Sequence, residues 1–130
     1  MREIQFRGWH VAHQCMFSAA EMAADQLTLL PTGQFINVSG DSTRLSQIFP
    51  ADQFIPLQYT GLKDKNGKEI YEGDLIVHNS RNGDKPHPVI YHTALAAFCG
   101  DYGLKYPLQE TELAEIEVIG NIYENKDLIK

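Results

Sequence analysis

The chain has 130 residues, a formal net charge of −6 and 43% hydrophobic residues. This length suits one domain or two small subdomains, and it can bury a core without disulfides or metal ions. The charge is −2 over residues 1–60, 0 over residues 61–100 and −4 over residues 101–130. A surface that binds phosphate backbones needs a basic excess, so we do not expect a nucleic acid as partner.

The sequence indicates a protein without a membrane span or a redox pair. No apolar run approaches the roughly 18 residues that a spanning helix needs, and the first residues enter a strand pattern instead of a signal peptide. We therefore expect no membrane contact and a cytoplasmic location. Cys15 and Cys99 are far apart in the chain and form no C-x-x-C motif, which predicts two reduced thiols and no disulfide.

The first half of the chain predicts short β elements and one short helix. Alternating polar and apolar residues predict a β-hairpin over residues 2–17. Ser18 and Glu21 have the spacing of a capping box, and alanine-rich helix formers follow, so a helix is predicted over Ser18–Ala24. The turn residues Pro31-Thr32-Gly33 then separate two further strand patterns, Leu27–Leu30 and Gln34–Val38.

The second half predicts more strands with turns between them. A polar loop covers Ser39–Ser46, and Asn66-Gly67 predicts a tight turn with positive φ at both central positions. The predicted strands are Phe54–Tyr59, Leu75–His78, Pro88–His92, Ala96–Cys99 and Glu115–Ile119. Turn signals at this spacing favour a small barrel or sandwich.

Two segments resemble a known family. Gln58–Asp74, which includes Gly61-Leu62-Lys63-Asp64 and Glu72-Gly73-Asp74, and Ile116–Asn125 are similar to the YopX-like family of phage and prophage proteins. The resemblance implies a mainly β fold, with an N-terminal β-hairpin subdomain over residues 1–58 and a C-terminal SH3-like small β-barrel over residues 59–130. It also implies a bacterial host. The family supplies no catalytic residues that could be transferred to this chain.

The candidates for metal binding and catalysis are weak. His10, His13 and Cys15 have donor atoms suited to zinc, but a structural zinc site needs a fourth ligand. A polar hairpin turn beside a buried thiol is the favoured explanation, so we predict no metal and no cofactor. Glu110, Glu112, Glu115 and Glu117 are interpreted as the solvated face of a strand and its lead-in. No nucleophile or phosphate-binding motif is present, which predicts a protein that is not an enzyme.

Tyr102 and Tyr106 are the candidate partner-binding residues. They lie in the loop Gly100–Gln109, where glycine and proline favour an exposed turn, and tyrosine gives a large contact area at low entropic cost. The loop Asn79–Pro88 has a similar composition. The alternative is that one or both rings cover the core of the barrel.

The sequence thus favours a non-enzymatic accessory protein that binds an unknown protein partner, with self-association as an additional mode. The alternative is a nucleic-acid-binding accessory protein, because small barrels often have that role. A basic stripe and a steep salt dependence would distinguish the alternative.

Overall fold

The computed structural model describes residues 3–38, 48–79 and 85–129. The chain forms two compact units, Gln5–Gln58 and Tyr59–Lys130 together with Met1–Ile4. Short strands dominate both units, which confirms the prediction of a mainly β fold. The elements of the first unit are β1 (Phe6–His10), β2 (Cys15–Phe17), α1 (Ala19–Ala24), β3 (Leu27–Leu29), β4 (Phe35–Asn37) and the first half of β5 (Phe54–Lys63).

The first unit begins with the predicted hairpin. β1 pairs antiparallel with β2 on one side and with the first half of β5 on the other. The predicted capping box is confirmed, because the Glu21 N–H donates to the Ser18 Oγ while the Ser18 N–H donates to the Glu21 carboxylate, each at 3.1 Å. The predicted pair of strands around Pro31-Thr32-Gly33 forms as β3 and β4.

Aromatic side chains fill the core of the first unit. Met22, Phe35 and Phe54 are buried, and the rings of Phe35 and Phe54 lie 4.7 Å apart. Gly8 on β1 permits this packing, since a Cβ there would overlap the ring of Phe54. The predicted polar loop Ser39–Ser46 lies outside the described residues.

The second unit contains most of the remaining strands and two 3₁₀ helices. Its further elements are β6 (Glu69–Tyr71), β7 (Asp74–His78), β8 (His87–His92), β9 (Ala97–Asp101), β10 (Lys105–Pro107), a 3₁₀ helix (Glu110–Glu115), β11 (Ile116–Asn121) and a second 3₁₀ helix (Lys126–Ile129). Five of these strands form an antiparallel sheet in the order β10-β9-β8-β7-β11. This arrangement is consistent with the small barrel predicted from the sequence.

β-Branched residues form most of the core of this second unit. Ile70, Ile76, Val89, Ile116 and Val118 are buried together. They come from four strands, β6, β7, β8 and β11. In β8 and β11, buried positions alternate with less buried ones, as expected for strands with one face toward the core.

The glutamates after Gln109 adopt a different structure from the predicted strand lead-in. Glu110–Glu115 forms a 3₁₀ helix, and only Glu117 lies in β11. Glutamate, leucine and alanine are good helix formers, and local helix propensity explains the outcome. Leu113 of this helix packs against the core.

Candidate partner-binding site

The described part of the second unit has an open cleft of about 320 Å³ at the start of β8. Rings and aliphatic side chains form most of its lining, and the charged groups lie among them. The lining residues are Lys85, Pro86, His87, Pro88, Asp101, Tyr102, Leu128 and Ile129. The cleft thus joins the two loops that the sequence singled out, although residues 80–84 of the first loop lie outside the description.

A short hydrogen bond fixes one side of the cleft. The hydroxyl of Tyr106 lies 2.6 Å from Nε2 of His87, and Nδ1 of His87 lies 2.8 Å from the carbonyl oxygen of Lys85. Because a carbonyl oxygen can only accept, we infer that Nδ1 of His87 carries a proton. In the neutral imidazole, Nε2 then accepts from the Tyr106 hydroxyl. His87 is buried, so this pair holds the Tyr106 ring in one orientation.

Gly100 provides the space for that orientation. Tyr106 on β10 pairs directly with Gly100 on β9, and a Cβ at Gly100 would overlap the Tyr106 ring. The ring is half-buried by this contact. Tyr106 therefore has the surroundings of a ring that covers its sheet, which was one of the two interpretations from the sequence.

Tyr102 has different surroundings. Its side chain is 45% exposed, and its ring lies 5.5 Å from that of Tyr106 and 5.7 Å from that of His87. The following residue, Gly103, takes φ +104°, and its N–H donates to the Asp101 carboxylate at 3.1 Å. This turn presents the Tyr102 ring at the surface, supported on one side by two other rings. Partner binding by either tyrosine remains a prediction.

Exposed apolar groups and two opposite charges complete the lining of the cleft. Leu128 and Ile129 are 36% and 45% exposed on the second 3₁₀ helix. Asp101 is 3.9 Å from the ammonium of Lys105, so the negative charge of the lining already has a basic neighbour. Lys85 adds a further positive charge at an exposed position.

The other candidates from the sequence do not gather into a site. The rings of His10 and His13 lie 4.5 Å apart, and Cys15 pairs with His10 across the hairpin. Burial and then the neighbouring His13 lower the pKa of His10. Among the described residues, no group of three or more His, Cys, Asp or Glu side chains could hold a metal ion.

Both cysteines are free thiols in this structure. Burial raises the pKa of Cys99, the charge of Asp101 adds to the increase, and Lys105 opposes it. A thiol with a raised pKa is a poor nucleophile at neutral pH, so Cys99 is best explained as part of the packing.

Three buried polar residues in the family-like segments have structural roles that the sequence reasoning missed. Asp64 accepts from the backbone N–H groups of Asn66, Lys68 and Val118 at 2.8–2.9 Å. Burial alone would raise the pKa of Asp64, but these hydrogen bonds and Lys68 hold it below its ordinary value. The Asp-x-x-Gly spacing from Asp64 to Gly67 is typical of such a turn and could have revealed this role.

Asp74 and Asn121 have similar roles and lie opposite each other on β7 and β11. Asp74 accepts from the Tyr71 N–H at 2.8 Å. The side-chain oxygen of Asn121 accepts from the N–H groups of Tyr123 and Glu124. The family-like segments therefore stabilise turns, and their polar residues point to no ligand.

These observations define a mainly β protein with an aromatic cleft on its C-terminal sheet. The model of the family described as YopX protein matches residues 5–130, so the chain belongs to the YopX family. Protein EF1440 from Enterococcus faecalis is similar in structure, with a TM-score of 0.70, 24% identity and full coverage of both chains. Protein yopX from Bacillus subtilis gives a TM-score of 0.64 and 18% identity, again with full coverage.

Neither structure's name states an activity, and at these identities the likeness shows the fold alone. The search among curated proteins found no match. Within the described residues, no helix has the length and apolar character to cross a membrane. The function must therefore be argued from the cleft itself.

Proposed function

We propose that this chain is a non-enzymatic accessory protein of a phage or prophage, which binds a host or phage protein through the cleft around Tyr102. The family resemblance is the support for a phage origin. The SH3-like description of the barrel and a place in the bacterial cytoplasm belong to the same proposal. The observation that favours binding is the exposed Tyr102 ring, which packs on two other rings and lies in the same cleft as the exposed side chains of Leu128 and Ile129.

The local contacts favour binding over catalysis. The Tyr106 hydroxyl bonds to Nε2 of His87, and Nδ1 of His87 bonds to the Lys85 carbonyl oxygen, so these polar groups have a structural role on this side of the cleft. Tyr102, Leu128 and Ile129 supply apolar surface that a partner could bury. Tyrosine is enriched among the residues that dominate protein interfaces, and adjacent apolar groups exclude water from such contacts.

A matched pair of tyrosines provides the test. Tagged wild-type protein would capture partners from host cytoplasm, in parallel with Tyr102→Ala and Tyr91→Ala. Tyr91 is an equally exposed tyrosine, at 46%, and lies outside the cleft lining. A partner bound through the cleft should be lost with Tyr102→Ala and retained with Tyr91→Ala.

The captured protein would then be purified and titrated directly against each variant. Equal affinity for the wild type and Tyr102→Ala would exclude the cleft as the binding site. A steeply salt-dependent, submicromolar affinity for duplex DNA at about 150 mM salt would replace the proposal with nucleic-acid binding.

A further inference from the structure

The backbone along the cleft is poorly suited to pairing with a partner strand. Pro86 and Pro88 line the cleft on either side of His87, and neither has a backbone N–H. A partner that added a strand here would lack donors at two alternating positions, where strand addition draws its affinity from main-chain hydrogen bonds. Recognition at this cleft therefore depends on side-chain packing.

Size and lining both favour a short extended segment as the occupant. About 320 Å³ lies at the lower end of the ligand clefts found in proteins, which is enough for a few side chains. Rings of Tyr102 and the two prolines line it, with Leu128 and Ile129. A polyproline II segment has no internal hydrogen bonds, keeps its backbone solvated and docks on aromatic surfaces with little loss of entropy.

The charged residues of the cleft determine which extended segments it favours. The lining has one acidic and one basic residue, Asp101 and Lys85. Asp101 already has the Lys105 ammonium 3.9 Å away, whereas Lys85 is exposed and remains accessible to an acidic group of an occupant. The whole chain, by contrast, has a net charge of −6. An acidic side chain on the occupant would complement Lys85, whereas a basic occupant would meet like charge at the cleft.

We propose that the cleft binds an extended, proline-containing segment of a partner protein, with an acidic side chain of that segment against Lys85. This inference rests on the proposed function and specifies its partner. The proline of the segment packs on the Tyr102 ring, and Leu128 and Ile129 cover its other side. The hydrogen bond from Tyr106 to His87 keeps the supporting rings in place.

A displayed library of random peptides, selected on the wild-type chain, tests the specificity. Enriched sequences would be synthesised with a fluorescent label and titrated by anisotropy against the wild type, Tyr102→Ala, Lys85→Glu and Lys63→Glu. We expect enrichment of sequences that combine proline with aspartate or glutamate. Tyr102→Ala and Lys85→Glu should each weaken binding roughly tenfold or more, as expected for interface anchors.

The Lys63→Glu variant is the control, because it makes the same charge change at an exposed residue outside the cleft lining. It should bind as the wild type does. Replacing the acidic residue of the peptide by lysine should weaken binding to the wild type and partly restore it with Lys85→Glu. That exchange of preference cannot arise from a variant that simply fails to fold.

Enriched peptides without proline or without an acidic residue would overturn the inference, as would a library that yields no ligand. Binding that is equal in Lys85→Glu and Lys63→Glu would also overturn it. The proposed function would survive these results if the host partner still depended on Tyr102. It would fail separately if captured partners bound Tyr102→Ala and the wild type equally.

Discussion

The turn around Asp64 and the cleft around Tyr102 belong to the same unit but use their side chains in opposite ways. At the turn, one buried carboxylate accepts three backbone N–H groups and joins the β5–β6 loop to β11. At the cleft, the Tyr102 ring packs on the rings of His87 and Tyr106 and presents its apolar surface to solvent. The family resemblance follows residues of the first kind, which explains why it predicts the fold well and the function poorly.

The largest effect is expected from Asp64→Ala at the turn. The change would leave up to three N–H groups without their acceptor, and that of Val118 is buried. A buried N–H that loses its partner costs about 1–3 kcal/mol, so we expect a total loss of roughly 3 kcal/mol. Urea unfolding would measure it. A loss below about 1 kcal/mol would show that water replaces the carboxylate.

The same carboxylate predicts a dependence of stability on pH. Its pKa is lowered in the folded state, so its contribution is complete above the pKa of the unfolded chain and is lost as the pH falls through the folded value. We expect the free energy of unfolding to fall below about pH 4. Asp64→Asn should show a smaller fall in this range, and an identical slope would contradict the prediction.

A slightly smaller effect is expected from Tyr106→Ala at the back of the cleft. The substitution removes a half-buried ring from Gly100 and leaves buried His87 without its 2.6 Å partner. We expect a loss of roughly 2 kcal/mol, in line with large-to-small losses in cores. Tyr106→Phe is the control, since it keeps the ring and removes only the hydroxyl. If the melting temperature were unchanged in both variants, the Tyr106 ring would not contribute to the stability of the fold, and the prediction would be contradicted.

Gly67→Val should have a still smaller effect. Gly67 takes φ +79°, and no atom lies within 4 Å of the position that a Cβ would occupy. The cost is therefore backbone strain alone, about 1 kcal/mol or more for a β-branched residue. Thermal unfolding would measure it. An unchanged unfolding midpoint would contradict the prediction.

This turn shows how far the sequence predicted the fold. Asn66-Gly67 predicted a tight turn, and a turn forms, but only Gly67 takes positive φ. The Gly67 N–H donates to the Asp64 carbonyl oxygen at 3.0 Å, so Lys65 and Asn66 are the central pair and Gly67 follows them. The expected positive φ at Asn66 was wrong, because the Asp64 side chain holds the N–H groups of Asn66 and Lys68.

The cleft could be predicted only in part. Composition singled out Tyr102 and Tyr106 in the loop Gly100–Gln109, and it also singled out the loop Asn79–Pro88, since glycine, proline and tyrosine are typical of binding surfaces. The hydrogen-bond partner of Tyr106 could not be predicted, because it is His87, which lies 19 positions earlier in the chain. Likewise, no local pattern indicates that Leu128 and Ile129 line the same cleft. Local signals specify turns and faces, whereas a cleft requires the tertiary pairing of distant segments.

The smallest effect on stability is expected from Tyr102→Ala, and this is where the two regions should differ most clearly. An exposed ring on a loop contributes little to folding, so the free energy of unfolding should change by less than about 0.5 kcal/mol. Partner capture at matched folded concentration should nevertheless fall, because the lost ring is the centre of the proposed contact. Thermal unfolding and direct titration of the same preparation would measure both quantities. If Tyr102→Ala destabilised the chain as strongly as Tyr106→Ala and left capture intact, both tyrosines would be structural and the cleft would have the same role as the Asp64 turn.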